Sequence, residues 1–272
     1  MTTGFTAFFA RLRVENSKAS YPDAECSTLT SYLNGDIDVQ QCATELTEYT
    51  DRRLPVSSKL VIWGLIIQLG LNFAETHEDL VALSKEVLCI PASKATGGID
   101  WTNETQSLGQ AFRSFYDSTR GPTLDADNAG AQKPTTGQST ASRQWSNINE
   151  FGARLQHAGL LDDSLNGLLL IVKLLEMKPS EAQVQMNLGA AAAWLEFASK
   201  EIREGAAGVG AHTNWAQSSD YKKEPQVDGK RLVLWKERLA ELSGLPYVSE
   251  ELAVSCERAT TAIEQALWER KN

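Results

Sequence analysis

The chain has 272 residues, 42% of them apolar and 22% charged, with a net charge of −9. These are proportions that let a globular protein bury a sizeable core. The acidic balance leaves no basic face to neutralise phosphates, so nucleic acid is excluded as a partner and anionic membrane surfaces are disfavoured. Cys26, Cys42, Cys89 and Cys256 form no C-x-x-C pair and read as reduced thiols of a cytoplasmic protein. His77, His157 and His212 share no metal-ligand spacing, so no metal site is expected from them.

The opening stretch MTTGFTAFFARLR lacks the basic-then-apolar order of a signal peptide. The first predicted helix runs through VQQCATELTEY, with Asp36 as its cap. Pro55 and Ser57 open a buried helix from Leu60 to Phe73. Its run LVIWGLIIQLGLNF is too short to span a bilayer and contains Gln68 and Asn72. Thr76 with Asp79 reads as a capping box for LVALSKEVLCI, which ends before Pro91. Further helices are predicted near 103–117, 145–158, 163–177, 180–204, 229–243 and 248–270. The stretch 119–142, rich in Gly, Pro, Ser and Thr, reads as a surface loop, and GVGAHTNWAQSSDYKKEPQVDG as a second polar break. No segment shows sustained alternation. The expected architecture is all-α: one domain over 1–272, a multi-helix bundle with the Leu188–Phe197 helix buried at its centre.

Several residues stand where chemistry is conceivable. Trp145, Ile148, Gly152 and Leu155 form an apolar stripe, with Asn149 at its margin and Glu150 placed to pair with Arg154. The plainer reading is that Asn147 and Asn149 settle a helix start. A buried amide needs partners, however, and a ligand is one way to supply them. Glu104 falls three residues after Trp101 and four before Leu108, on the core-facing side. Burial beside tryptophan would raise its pKa and suit it to donate a proton, whereas a first-turn glutamate turned to water is the plainer alternative. Asp100 is a further candidate acid. Glu196, in a central helix of tiny side chains, is another, with a simple pair to Lys200 as its alternative. Lys236 lies at the edge of the stripe Leu232, Trp235, Leu239 and Leu242, placed either to snorkel or to hold an anionic substrate group. DDSLN, Asp162–Asn166, superficially resembles an aspartate-rich metal motif, but aspartate before an apolar helix is an expected cap. GAAGVG, at 205–210, follows a helix rather than a strand and does not read as a nucleotide loop.

The ordered segments DWTNETQSLGQAFRS, QWSNINEFGARL, AAAAWLEFASKEI and LWKERLAEL resemble a fungal domain family first catalogued as of unknown function. The likeness runs from about Trp63 to the C-terminus, and W-x-N-x-N-x-F-x-A-R-L, Trp145 to Leu155, is its most specific element. The family is similar to the non-canonical humulene synthases of tropolone sesquiterpenoid pathways. That resemblance implies an all-α enzyme of secondary metabolism that uses magnesium and a lysine to hold a diphosphate, with Lys236 as the lysine. No aspartate pair here matches the magnesium ligands. Glu104 stands where an apolar residue is expected, and Ser199 where glycine is common.

An acid in an aromatic pocket needs no metal to start a cation by protonating an alkene. The leading expectation is a redox-neutral cyclase acting without a cofactor on a hydrophobic, prenylated or isoprenoid small molecule. Glu104, then Glu196 and Asp100, are its candidate acids. Trp101, Trp145, Asn149, Arg154, Trp194, Phe197, Trp235 and Lys236 are its candidate substrate-binding residues. The alternatives are a magnesium-dependent sesquiterpene cyclase and a non-catalytic helical binding or scaffold protein. A homodimer is left open.

Overall fold

The computed structural model describes residues 2–15, 21–53, 59–92, 98–120, 140–206 and 227–269, which form eleven α-helices and two short 3-10 turns, with no strand among them. The protein is all-α. No helix among the described residues is long and apolar enough to cross a membrane. Two compact units are present, 1–115 and 116–272.

The first unit begins with two helices that periodicity reading did not assign, α1 (Thr2–Glu15) and α2 (Asp23–Leu33). The signal for α1 was there: Phe5, Phe8, Phe9 and Leu12 recur at helical spacing and all are buried. Phe5 and Phe8 close edge-on over Phe73 at 4.9 and 5.0 Å. In α2, Pro22 takes the cap position, and Asp23 and Glu25 sit in the first turn where the helix dipole favours acid. Next come α3 (Val39–Arg53), α4 (Lys59–Asn72) and α5 (His77–Val87). The cap of α3 is Asp38 rather than Asp36: its Oδ1 accepts the Gln41 N–H at 2.8 Å. Thr76 makes no side-chain cap for α5 and instead donates its hydroxyl to the Phe73 carbonyl at 2.7 Å, inside the 3-10 turn Ala74–Thr76. Helix α4 is apolar on every side and buries Trp63, Ile66 and Ile67 completely.

Helix α6 (Thr105–Arg120) runs into the second unit, which continues with α7 (Thr140–His157), α8 (Ser164–Leu175), α9 (Glu181–Ala206), α10 (Gly229–Ser243) and α11 (Glu250–Glu269). The loop expected over 119–142 lies, apart from its two helical ends, outside the described residues, as does the second polar break at 207–226. Asp163 occupies the cap position of α8, although its carboxylate accepts from the Asn166 amide at 2.9 and 3.1 Å rather than from the backbone.

Helix α9 is the axis of the second unit, packed against α7, α8 and α11. Its contacts to α7 pair Asn187 with Trp145, Trp194 with Asn149, Phe197 with Arg154 and Glu201 with His157. The numbers rise together along both helices, so α7 and α9 run in the same direction, with α8 returning between them. Gly167 lets α8 lie flat on the Trp194 ring, since a Cβ there would stand 2.5 Å from Trp194 Cδ2. Cys42 and Cys256 are buried, which pushes each thiol up to about 12.

Gly167→Ala is expected to destabilise the protein. The rigid indole cannot yield a full contact distance, and overpacking typically costs about 1–3 kcal/mol. The helix-propensity gain of about 1 kcal/mol does not offset that. A denaturant midpoint above wild type would contradict this packing.

Candidate functional site

The candidate residues divide between the units. In the first, the Asp51 carboxylate of α3 accepts the Ile99 N–H at 3.1 Å, with Gly98 pressed so close that a Cβ would lie 2.1 Å from Asp51 Oδ2. This anchor sets the following 3-10 turn, Trp101–Asn103. Trp101 is fully buried, edge-on to the equally buried Trp63 at 6.1 Å between ring centroids. Among the described residues, the indole nitrogens of Trp63 and Trp101 have no hydrogen-bond acceptor. Buried donors are rarely left so, since each costs about 1–3 kcal/mol.

Glu104 follows at the junction of this turn with α6, and its backbone carbonyl accepts the Ser107 and Leu108 N–H groups. Its side chain is half-buried and accepts the Ser107 hydroxyl. Asp100 is exposed and caps the turn. The Thr102 hydroxyl at 2.6 Å, above all, holds its carboxyl below the usual range, helped by the Thr102 backbone N–H and the Asn103 amide. A carboxyl held ionised in this way is a poor proton donor.

In the second unit the W-x-N-x-N element forms a chain of buried polar contacts. Trp145 Nε1 donates to Asn187 Oδ1 at 2.9 Å, and Trp194 Nε1 donates to Asn149 Oδ1 at 2.8 Å. Each asparagine also donates its amide to the carbonyl four residues earlier, Asn149 to Trp145 and Asn187 to Gln183. The reading of Asn147 and Asn149 as a helix start is corrected, because α7 begins at Thr140 and both lie buried in mid-helix, Asn149 completely. For Asn149, the amide is completed by Trp194. Beyond this chain, Arg154 stacks over Phe197 at 3.9 Å and pairs with Glu150 at 3.0 Å, as expected from the spacing.

Trp235 belongs to a second cluster. Arg231 grips Glu176 with Nε at 2.5 Å and Nη2 at 3.0 Å, while Trp235 Nε1 donates to Glu176 Oε1 at 2.7 Å. The Arg231 and Glu176 side chains are both completely buried. Sequence reasoning missed Asn187, Glu176 and Arg231. The available signals were Asn187 seven residues before Trp194 and Arg231 four before Trp235, each on its helix's core stripe.

The remaining candidates point elsewhere. Glu196 pairs with Arg258 of α11 at 2.9 Å rather than with Lys200. Lys236 pairs with Glu264 at 2.9 Å, half-exposed. A carboxylate against that ammonium opposes a diphosphate. Among the described residues, no three His, Cys, Asp or Glu side chains converge on one point. These residues do not fit a magnesium–diphosphate site.

Residues 63–239 match the model of the family described as Protein of unknown function (DUF3632), and the chain belongs to that family. No curated protein and no solved structure matches the chain.

Arg231→Met strips the buried Glu176 of its partner and is expected to cost about 3–5 kcal/mol in equilibrium unfolding. Adding Glu176→Leu should recover much of that loss, leaving Trp235 short of one acceptor at about 1–3 kcal/mol. Equal losses in the single and double variants would contradict the assignment.

Proposed function

We propose that the protein is a redox-neutral cyclase of fungal natural-product biosynthesis, with Glu104 as its proton donor. The observation that supports this is the corner of the first unit. A half-buried carboxyl follows, within one turn, a fully buried tryptophan pair whose N–H groups have no acceptor among the described residues. The face of an indole stabilises a passing cation, and a free indole N–H suits a substrate oxygen. Asp100 and Glu196 fit the donor role less well, one held ionised and the other paired with arginine.

In the proposed reaction, the Glu104 proton adds to an alkene carbon of a prenyl group. A hydroxyl oxygen of the same molecule captures the resulting cation, and its proton returns to the Glu104 carboxylate. The product is an isomer of the substrate, and no oxidant or reductant is used.

A second reading, a helical binding or scaffold protein, is favoured by the use of the most specific motif, Trp145–Leu155, in helix packing. A magnesium-dependent sesquiterpene cyclase is the other enzyme reading.

Turnover of prenylated phenols and linear isoprenoids to products of unchanged mass, followed with and without chelator, separates these readings. Glu104→Gln keeps the shape and removes the transferable proton. It is expected to lower turnover about a hundred- to ten-thousand-fold with an unchanged helical signal. Chelator and Lys236→Ala are expected to have little effect. Full activity in Glu104→Gln overturns the assignment, and activity restored only by magnesium supports the sesquiterpene cyclase. Binding without turnover of any substrate supports the binding protein.

A further inference from the structure

A pocket of about 380 Å³ opens at the turn between α8 and α9. That volume falls within the range of small-molecule sites, about 300–1,000 Å³. Its apolar lining comes from Leu170 and Leu174 on α8, both buried, and from Met177 and Pro179 in the turn. Asn187 of α9 also lines it, the same residue whose Oδ1 holds the Trp145 indole.

The rim carries Lys173 and Lys178, both exposed. Among the described residues neither ammonium group has a hydrogen-bond or ion-pair partner. In a chain with a net charge of −9, two such cations beside one apolar pocket form a local reversal of sign. The nearest carboxylates in sequence are engaged elsewhere: Glu176 by Arg231, and Glu181 by the Gln185 amide at 3.2 Å.

We propose that this pocket binds a small amphipathic anion, with an aliphatic tail against Leu170, Leu174 and Met177 and a carboxylate or phosphate head at the Lys173–Lys178 rim. A lysine rim supplies charge-assisted hydrogen bonds to either head, and neither lysine must break a pair with a described residue to do so. The tail gains from leaving water. This site uses none of the residues assigned to proton donation, so its test is independent of Glu104.

The test is calorimetric titration of the full chain with decanoate, decyl phosphate and decanol, each below its micellar concentration. Both anions are expected to bind, with decanol about tenfold weaker or more, and the stronger anion identifies the head group. Lys173→Gln combined with Lys178→Gln is expected to weaken both anions about tenfold while leaving decanol binding and the melting temperature unchanged. Decanoate should also shift the Trp145 indole N–H resonance, because its acceptor Asn187 lines the pocket. Equal affinity for anions and decanol, undiminished anion binding by the double variant, saturable binding without the indole shift, or no binding of any probe would each overturn the proposal.

Discussion

Two tryptophans of the second unit have to be buried, and each brings an N–H that must find an acceptor away from water. The structure answers with an exchange between α7 and α9. Trp145 is accepted by Asn187 of α9, and Trp194 by Asn149 of α7. Asparagine suits this role because its amide supplies both an acceptor and a donor, and the donor goes to a carbonyl one turn back. A slip of either helix by one residue would unpair both bonds at once and leave four polar side chains stranded in apolar surroundings. The exchange therefore sets register as well as adding stability, and Arg154 over Phe197 and His157 beside Glu201 follow from it.

Arg231, Glu176 and Trp235 perform the corresponding task between α8 and α10. Glu176 lies at the C-cap of α8 and Arg231 in the first turn of α10. Each charge thus meets the unfavourable end of its own helix dipole. Mutual bidentate contact compensates both, and the indole occupies one remaining acceptor position on Glu176. Asp228, capping α10 by accepting the Arg231 N–H at 2.8 Å, adds negative charge where the helix N-terminus favours it. Desolvating two charges offsets much of what their pairing contributes, so the cluster is a weak source of net stability. What the polar cluster adds is selectivity for one pairing of helix ends.

The helices from α3 onward were legible because their apolar residues recur at the helical period or, in α4, form one unbroken run, and α10 was read to its limits, Gly229–Ser243. Caps were less legible: Asp36 and Asp38 are chemically equivalent choices, and only the Gln41 N–H distinguishes them. At the candidate site, spacing identified the side of a helix but not its neighbour. It put Glu104 near Trp101 and Glu150 near Arg154, since these are local. It could not find Asn187 for Trp145 or Arg258 for Glu196, which lie 42 and 62 residues away. Nor could it separate a buried polar residue held for packing from one held for chemistry, because both appear as a polar break in an apolar stripe.

The pairings of α7 with α9 share almost one sequence separation, 42 for Trp145 with Asn187 and 45 for Asn149 with Trp194. Closing the first brings together a loop whose entropic cost depends only weakly on its length, about 0.6 kcal/mol for each doubling. The second lies within about a turn of the first and closes the same loop, so it adds little further loop entropy. The contacts of α11 with α9, at Gly189–Leu252, Glu196–Arg258 and Arg203–Ala266, repeat the pattern with a second nearly constant separation. Both sets of contacts run in step along α9, which is the strip common to α7 and α11.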